Sequence, residues 1–144
     1  MSENKVITFV FDNRPLRMTC LKDGSIYLFS EDIKLMLLES LKRIPLKLSE
    51  YIINNYIDQF TENNDKKAFS YKNKIVPLLK YVSLISLFQV FNNFEEKELK
   101  RIADDTTQLQ IFICKSIVEA RKYFGIDMMT HIYEIIDNAK READ

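Results

Sequence analysis

The sequence predicts an α+β domain: a small antiparallel N-terminal meander packed with helices, and a mainly helical C-terminal half. Three observations carry this. Residues 6–29 hold short β-branched and aromatic runs separated by turn signals. From Ile33 onward apolar residues recur every three or four positions, the helical spacing. The chain has 144 residues, 47% hydrophobic and 29% charged, ordinary values for one globular domain with its own core.

Residues 6–12 (VITFVFD) read as a first strand, turned by Asn13-Arg14-Pro15. Residues 16–21 (LRMTCL) read as a second. Lys22-Asp23-Gly24-Ser25 contains the Asp-Gly turn signal, and residues 26–29 form a short third strand. Ser30 then stands as an N-cap, with Glu31 and Asp32 favourable in a first helical turn. Ile33, Met36, Leu37, Leu41 and Ile44 keep helical spacing until Pro45 ends or bends the helix. Ser49 would cap a second helix with Ile53, Tyr56, Ile57 and Phe60 on one face.

Residues 61–73 (TENNDKKAFSYKN) are polar and turn-rich, and read as a mobile loop. Residues 74–82 suggest another strand, interrupted by Pro77. Ser83 would cap a helix running through Phe91, closed by Asn92 and Asn93. Residues 95–124 are the longest helical candidate, with Leu99, Ile102, Thr106, Leu109, Ile113, Ser116, Ala120 and Tyr123 along one seam. Gly125 is a natural stop. A last helix from Asp127 would close the same domain, with Met128, Ile132, Ile135, Ile136 and Ala139 on one face. No internal repeat is visible.

Composition narrows the function classes. Lys+Arg is 21 and Asp+Glu is 21, a net charge of zero, which gives no whole-protein argument for a polyanion binder. The imbalance is local. Residues 1–80 hold 13 basic against 10 acidic side chains (+3), and residues 81–144 hold 8 against 11 (−3), which places any basic face in the first half. Cys20 and Cys114 form neither a disulfide framework nor a metal cluster, and both read as small core residues. With one His and two Gly, no zinc spacing and no phosphate-cradling glycine loop is present. The expectation is a non-enzymatic, cytoplasmic protein with no metal, no cofactor and no membrane span.

One stretch carries a resemblance. Phe9-x-Phe11, Pro15-Leu16-Arg17 and Asp23-Gly24-Ser25-Ile26-Tyr27-Leu28-Phe29-Ser30-Glu31-Asp32-Ile33 resemble the Bro-N domain of phage antirepressors and baculovirus-repeated-ORF proteins. Tyr27 stands where that family usually has Trp, and Asp32-Ile33 matches its Asp-Val. Tyr81 to Phe88, Phe112-Ile113 and Ile117-Val118 extend the likeness, with Ser86 in place of a Gly and Glu119 in place of a Pro. The resemblance implies a Bro-N-like domain over residues 1–124, closed by a helix over 125–144. It also implies DNA binding or contact with other regulators in phage or prophage switches. The other function class is a small phage-encoded inhibitor acting by protein–protein contact on a repressor or a host defence complex.

Candidate nucleic-acid contacts follow from charge and side-chain shape. Arg14 and Arg17 flank Pro15, and the planar guanidinium suits phosphate oxygens; solvated charges on a sheet edge are the other reading. Lys42 and Arg43 lie at a helix C-terminus, where they would also complement the helix dipole. Lys66, Lys67, Lys72 and Lys74 are interleaved with Phe69 and Tyr71, so rings could stack on bases while ammonium groups neutralise phosphate. Leu99, Ile102, Leu109 and Ile113 are candidates for a partner or homodimer interface, with burial inside the chain as the alternative. Asp127 and His131 have the spacing of an exposed ion pair. Glu95, Glu96, Glu98, Asp104 and Asp105 read as a solvated acidic face.

Overall fold

Two tight turns set the architecture of the computed structural model, which describes residues 5–61 and 66–125 together with 136, 139 and 140. β1 (Val6–Phe11) and β2 (Arg14–Cys20) are joined by Asp12 and Asn13, at φ 51° and 64°. Positive φ at both central residues gives the hairpin turn whose twist matches the strands it joins, and Asn tolerates that region. The turn therefore falls one residue earlier than expected, and Pro15 lies inside β2. Phe11 and Arg14 face each other across the turn. Pairs alternate along the ladder, so Pro15 occupies a position that needs no N–H towards β1.

β3 (Ile26–Phe29) completes the expected meander. Gly24, at φ 78°, closes the intervening loop; its N–H donates to the Leu21 carbonyl at 3.0 Å. The Asp23 carboxylate accepts the Ser25 N–H at 3.0 Å.

The largest correction concerns residues 66–73. Instead of a mobile loop they form β4 (Lys66–Tyr71) and a second tight turn at Lys72 and Asn73, at φ 48° and 65°. β5 (Lys74–Lys80) follows and pairs with both β4 and β3. Pro77 does not interrupt it. Counting from the Tyr71–Lys74 pair, Pro77 again falls where no N–H is needed towards β4. The five antiparallel strands lie in the order β1-β2-β3-β5-β4. Both hairpins outrun the short β3, so their turns project beyond the same end of the sheet.

Helices cover one face. α1 (Ser30–Ser40) follows β3 directly and α3 (Tyr81–Asn92) follows β5 directly; α2 (Leu46–Thr61) and α4 (Lys97–Tyr123) follow after short connections. None of the expected serine caps forms. Ser30 is the first helical residue, with no side-chain cap bond at Phe29. Ser49 lies inside α2 and its Oγ donates towards the carbonyls of Leu41, Ile44 and Pro45 at 3.3–3.5 Å. Ser83 is buried within α3. Pro45 separates α1 from α2.

The main core joins Leu16, Met18, Ile26 and Leu28 of the sheet to Ile33 and Leu37 of α1, Leu84, Leu87 and Phe91 of α3, and Ile102, Leu109 and Ile113 of α4. Those last three, expected as candidates for a partner interface, are thus buried inside the chain; Leu99 packs against the same core. A helix of this length is needed because it spans β1, α1 and α3. The opposite face of the sheet holds a second, smaller core of Tyr27, Phe29 and Leu78, edged by Val6, Leu21, Phe69, Tyr71 and Val76. Among the described residues no helix is long and apolar enough to cross a membrane.

Candidate nucleic-acid interface

Residues opposite each other in a ladder share a face. Lys67 faces Leu78, Phe69 faces Val76 and Tyr71 faces Lys74. Leu78 belongs to the outer core, so Lys67, Phe69, Tyr71, Lys74 and Val76 all stand on the face turned away from α1, α3 and α4. Lys67 and Lys74 are exposed, while Phe69 and Tyr71 are half-buried. Between residues 66 and 80 there is no acidic residue.

The rings are held in fixed relation. Phe29 meets Phe69 and Tyr71 edge-on, at 6.0 Å and 5.2 Å between centroids. Phe69 and Tyr71 are near-parallel at 6.3 Å. Tyr71 is bracketed by cations: Lys72 Nζ lies 5.3 Å from its centroid and the Arg17 guanidinium 5.8 Å. Arg17 lies closer still over Phe29, at 4.4 Å. These distances fall within cation–π range.

Arg17 is itself anchored. Its Nε and Nη2 donate to the two carboxylate oxygens of Asp32 at 2.9 Å and 2.8 Å, and its backbone N–H donates to the same carboxylate at 2.9 Å. The β2–β3 ladder runs from Cys20–Ile26 to Met18–Leu28, so Arg17 lies one residue past its last pair, opposite Phe29 at the end of β3. There Asp32, in the first turn of α1, supplies a carboxylate acceptor to the Arg17 N–H. The hydrogen bond to Asp32 raises the Arg17 pKa above its ordinary value. Arg17 thus orders the aromatic face, with its Nε and Nη2 bound to Asp32.

The other expected contacts lie elsewhere. Arg14 shares the inward face with Phe11 and pairs with Glu39 at 3.6 Å; Lys42 approaches the same carboxylate at 3.8 Å. Together with Phe11, Asp12, Met36 and Ser40 they line a shallow cleft of about 170 Å³. Arg43 pairs with Asp105, whose other carboxylate oxygen is buried without a partner; the hydrogen bond to Asp105 raises the Arg43 pKa. The structure therefore separates the expected basic residues into two groups. Lys67, Lys72 and Lys74 join Arg17 on the outer sheet face, whereas Arg14, Lys42 and Arg43 sit at the far end of α1 with carboxylate partners. Lys66 opens β4.

Sequence reasoning missed Phe29 and Asp32 as members of this site, because the contacts that recruit them cross from β3 and α1 to β2 and β4. The available signal was the two-residue alternation of Lys67, Phe69 and Tyr71. Asp105, expected on a solvated face, is almost wholly buried instead. Cys20 is buried as expected, but Cys114 lies at the surface of α4. Partial desolvation raises the Cys114 thiol pKa, which disfavours a reactive thiolate. Asp127 and His131 lie outside the described residues, as does most of the expected closing helix.

No protein-family model matches the chain, and comparison with curated proteins and with solved structures found no match.

Proposed function

We propose that this protein is a non-enzymatic, cytoplasmic regulatory module of phage or prophage type that binds DNA through the outer face of the β4–β5 hairpin. One observation carries the reading: Lys67, Phe69, Tyr71, Lys72 and Lys74 are gathered on one acid-free hairpin, beside a ring cluster that Arg17 holds in place. Ammonium groups at the rim neutralise phosphates, and half-exposed rings offer stacking surfaces to unpaired bases. No residue here reads a base edge, so the affinity is general and salt-dependent.

The Bro-N resemblance supports the same reading. Two of its charged positions, Arg17 and Asp32, bond to each other and join the meander to the helix that follows. Titration of labelled single- and double-stranded DNA at several salt concentrations tests the proposal. Binding should weaken with salt, and Lys67→Ala/Lys72→Ala/Lys74→Ala should reduce both affinity and salt slope. A slope near zero would reject DNA contact. It would favour instead an inhibitor acting on a repressor or host defence protein, for which Ile111 and Val118 on the exposed side of α4 offer apolar surface.

A further inference from the structure

The two edges of the sheet are built differently. The β4 edge begins with Lys66 and Lys67, and lysines on an edge discourage further pairing. The β1 edge reads VITFVF, six residues without a charge, in a chain that is 29% charged. β1 pairs with β2 along its whole length, and among the described residues no strand pairs with its other side.

Which backbone groups face outward follows from the ladder. Arg17 turns its N–H away from β1, towards Asp32. Its cross-strand partner Thr8 therefore sits in a non-hydrogen-bonded pair and turns its own N–H and C=O to the open edge. By alternation Val6 and Val10 do the same. Thr8 is exposed and Val10 is 64% exposed.

We propose that β1 pairs antiparallel with β1 of a second copy, with Thr8 on the two-fold axis. Two antiparallel strands related by a two-fold axis keep the same face of each sheet on the same side, so opposed residues must share a face. Among the outward-bonding residues, the register with Thr8 opposite its own copy and Val6 opposite Val10 gives the fullest overlap. It closes about six backbone hydrogen bonds and sets two Val–Val pairs and one Thr–Thr pair side by side, all favourable cross-strand combinations. It also brings Lys5 of each copy opposite Phe11 and beside Asp12 of the other. Both are exposed, so unlike charges close both ends of the contact. A self-complementary strand is what an isologous interface requires.

This inference is independent of the DNA reading, since it uses the edge of the sheet remote from β4. A strand-edge contact is small beside the roughly 800 Å² per partner of a stable interface. The expected dimer is therefore weak and dissociates on dilution.

Sedimentation of the full chain from about 1 µM to 1 mM should show a reversible monomer–dimer equilibrium. Amide exchange at Val6, Thr8 and Val10 should slow as concentration rises. Thr8→Glu sets like charges against each other at the axis and should weaken dimerisation about tenfold or more. Thr8→Lys should do the same, and mixing the two variants should restore association. Val10→Pro removes an outward N–H while sparing the ladder to β2, and reads the same contact if a charged variant fails to fold. Wild-type protein that stays monomeric throughout, or a dimer that survives both Thr8→Glu and Val10→Pro, would overturn the proposal.

Discussion

Removing the carboxylate of Asp32 should destabilise the fold more than removal of an exposed ion pair would. Asp32 is almost fully buried, and Arg17 shows only 28% of its side chain to solvent. Asp32→Ala deletes the acceptor of three hydrogen bonds at once. It removes the carboxylate acceptor of the Arg17 N–H at the end of the β2–β3 ladder, and leaves a guanidinium uncompensated above Phe29. Hydrogen bonds to charged groups contribute about 1.5–3 kcal/mol each, and breaking a buried pair costs about 3–5 kcal/mol. Partial solvation of Arg17 lowers that figure, to about 2–3 kcal/mol. At roughly 3–5 °C per kcal/mol for a chain of this size, Tm should fall by about 6–15 °C. Asp32→Asn keeps a carbonyl for the Arg17 N–H and should lose about half as much. An apolar double substitution, Arg17→Met/Asp32→Leu, should recover only part of the loss, because the backbone N–H of residue 17 still lacks the Asp32 carboxylate. Urea unfolding followed by circular dichroism measures all three. A loss below about 0.5 kcal/mol for Asp32→Ala, or full recovery in the double variant, would refute the view that Asp32 anchors β2 to α1 through the backbone and side chain of Arg17 together.

Leu109→Glu buries a charge in the main core, since Leu109 is 1% exposed. It should cost several kcal/mol, on the order of 3–5, and circular dichroism should show loss of helix rather than a folded monomer. Asn73→Val forces a β-branched residue to φ near 65° and should cost about 1–2 kcal/mol in thermal melts, whereas Asn73→Gly should be near neutral. Lys67→Ala/Lys72→Ala/Lys74→Ala should flatten the log–log salt slope of DNA binding by up to about 2–3 while leaving Tm within a few degrees. Unchanged binding by that variant would remove the hairpin from the proposed interface.

The local elements most legible in the sequence were those whose signal is periodic and uninterrupted. The meander of residues 6–29, the helix from residue 30 and the long helix α4 all carry their period in consecutive residues, and all three form. The β4 strand was hidden because its alternation runs through lysine, serine and alanine, which read as solvated loop. Only the pairing of β4 with β5, and of β5 with β3, gives those residues a face to cover. Serine caps were expected from residue type, yet α1 and α3 continue directly from strands, leaving no separate cap position.

The amino-acid order by itself determined the α+β class, the three-stranded opening and the apolar seam of α4, because each depends on periods of two or 3.6 within one segment. It also placed every lysine of the proposed interface in one short stretch. Tertiary structure alone decided what those features do. It turned the α4 seam inward, because β1, α1 and α3 converge on it. It gave Arg14 and Arg17, on opposite faces of one strand, different carboxylate partners, Glu39 and Asp32. It assigned Arg17 to Asp32 because the start of α1 meets β2 where the β2–β3 ladder ends at Met18–Leu28, an arrangement that no single segment contains.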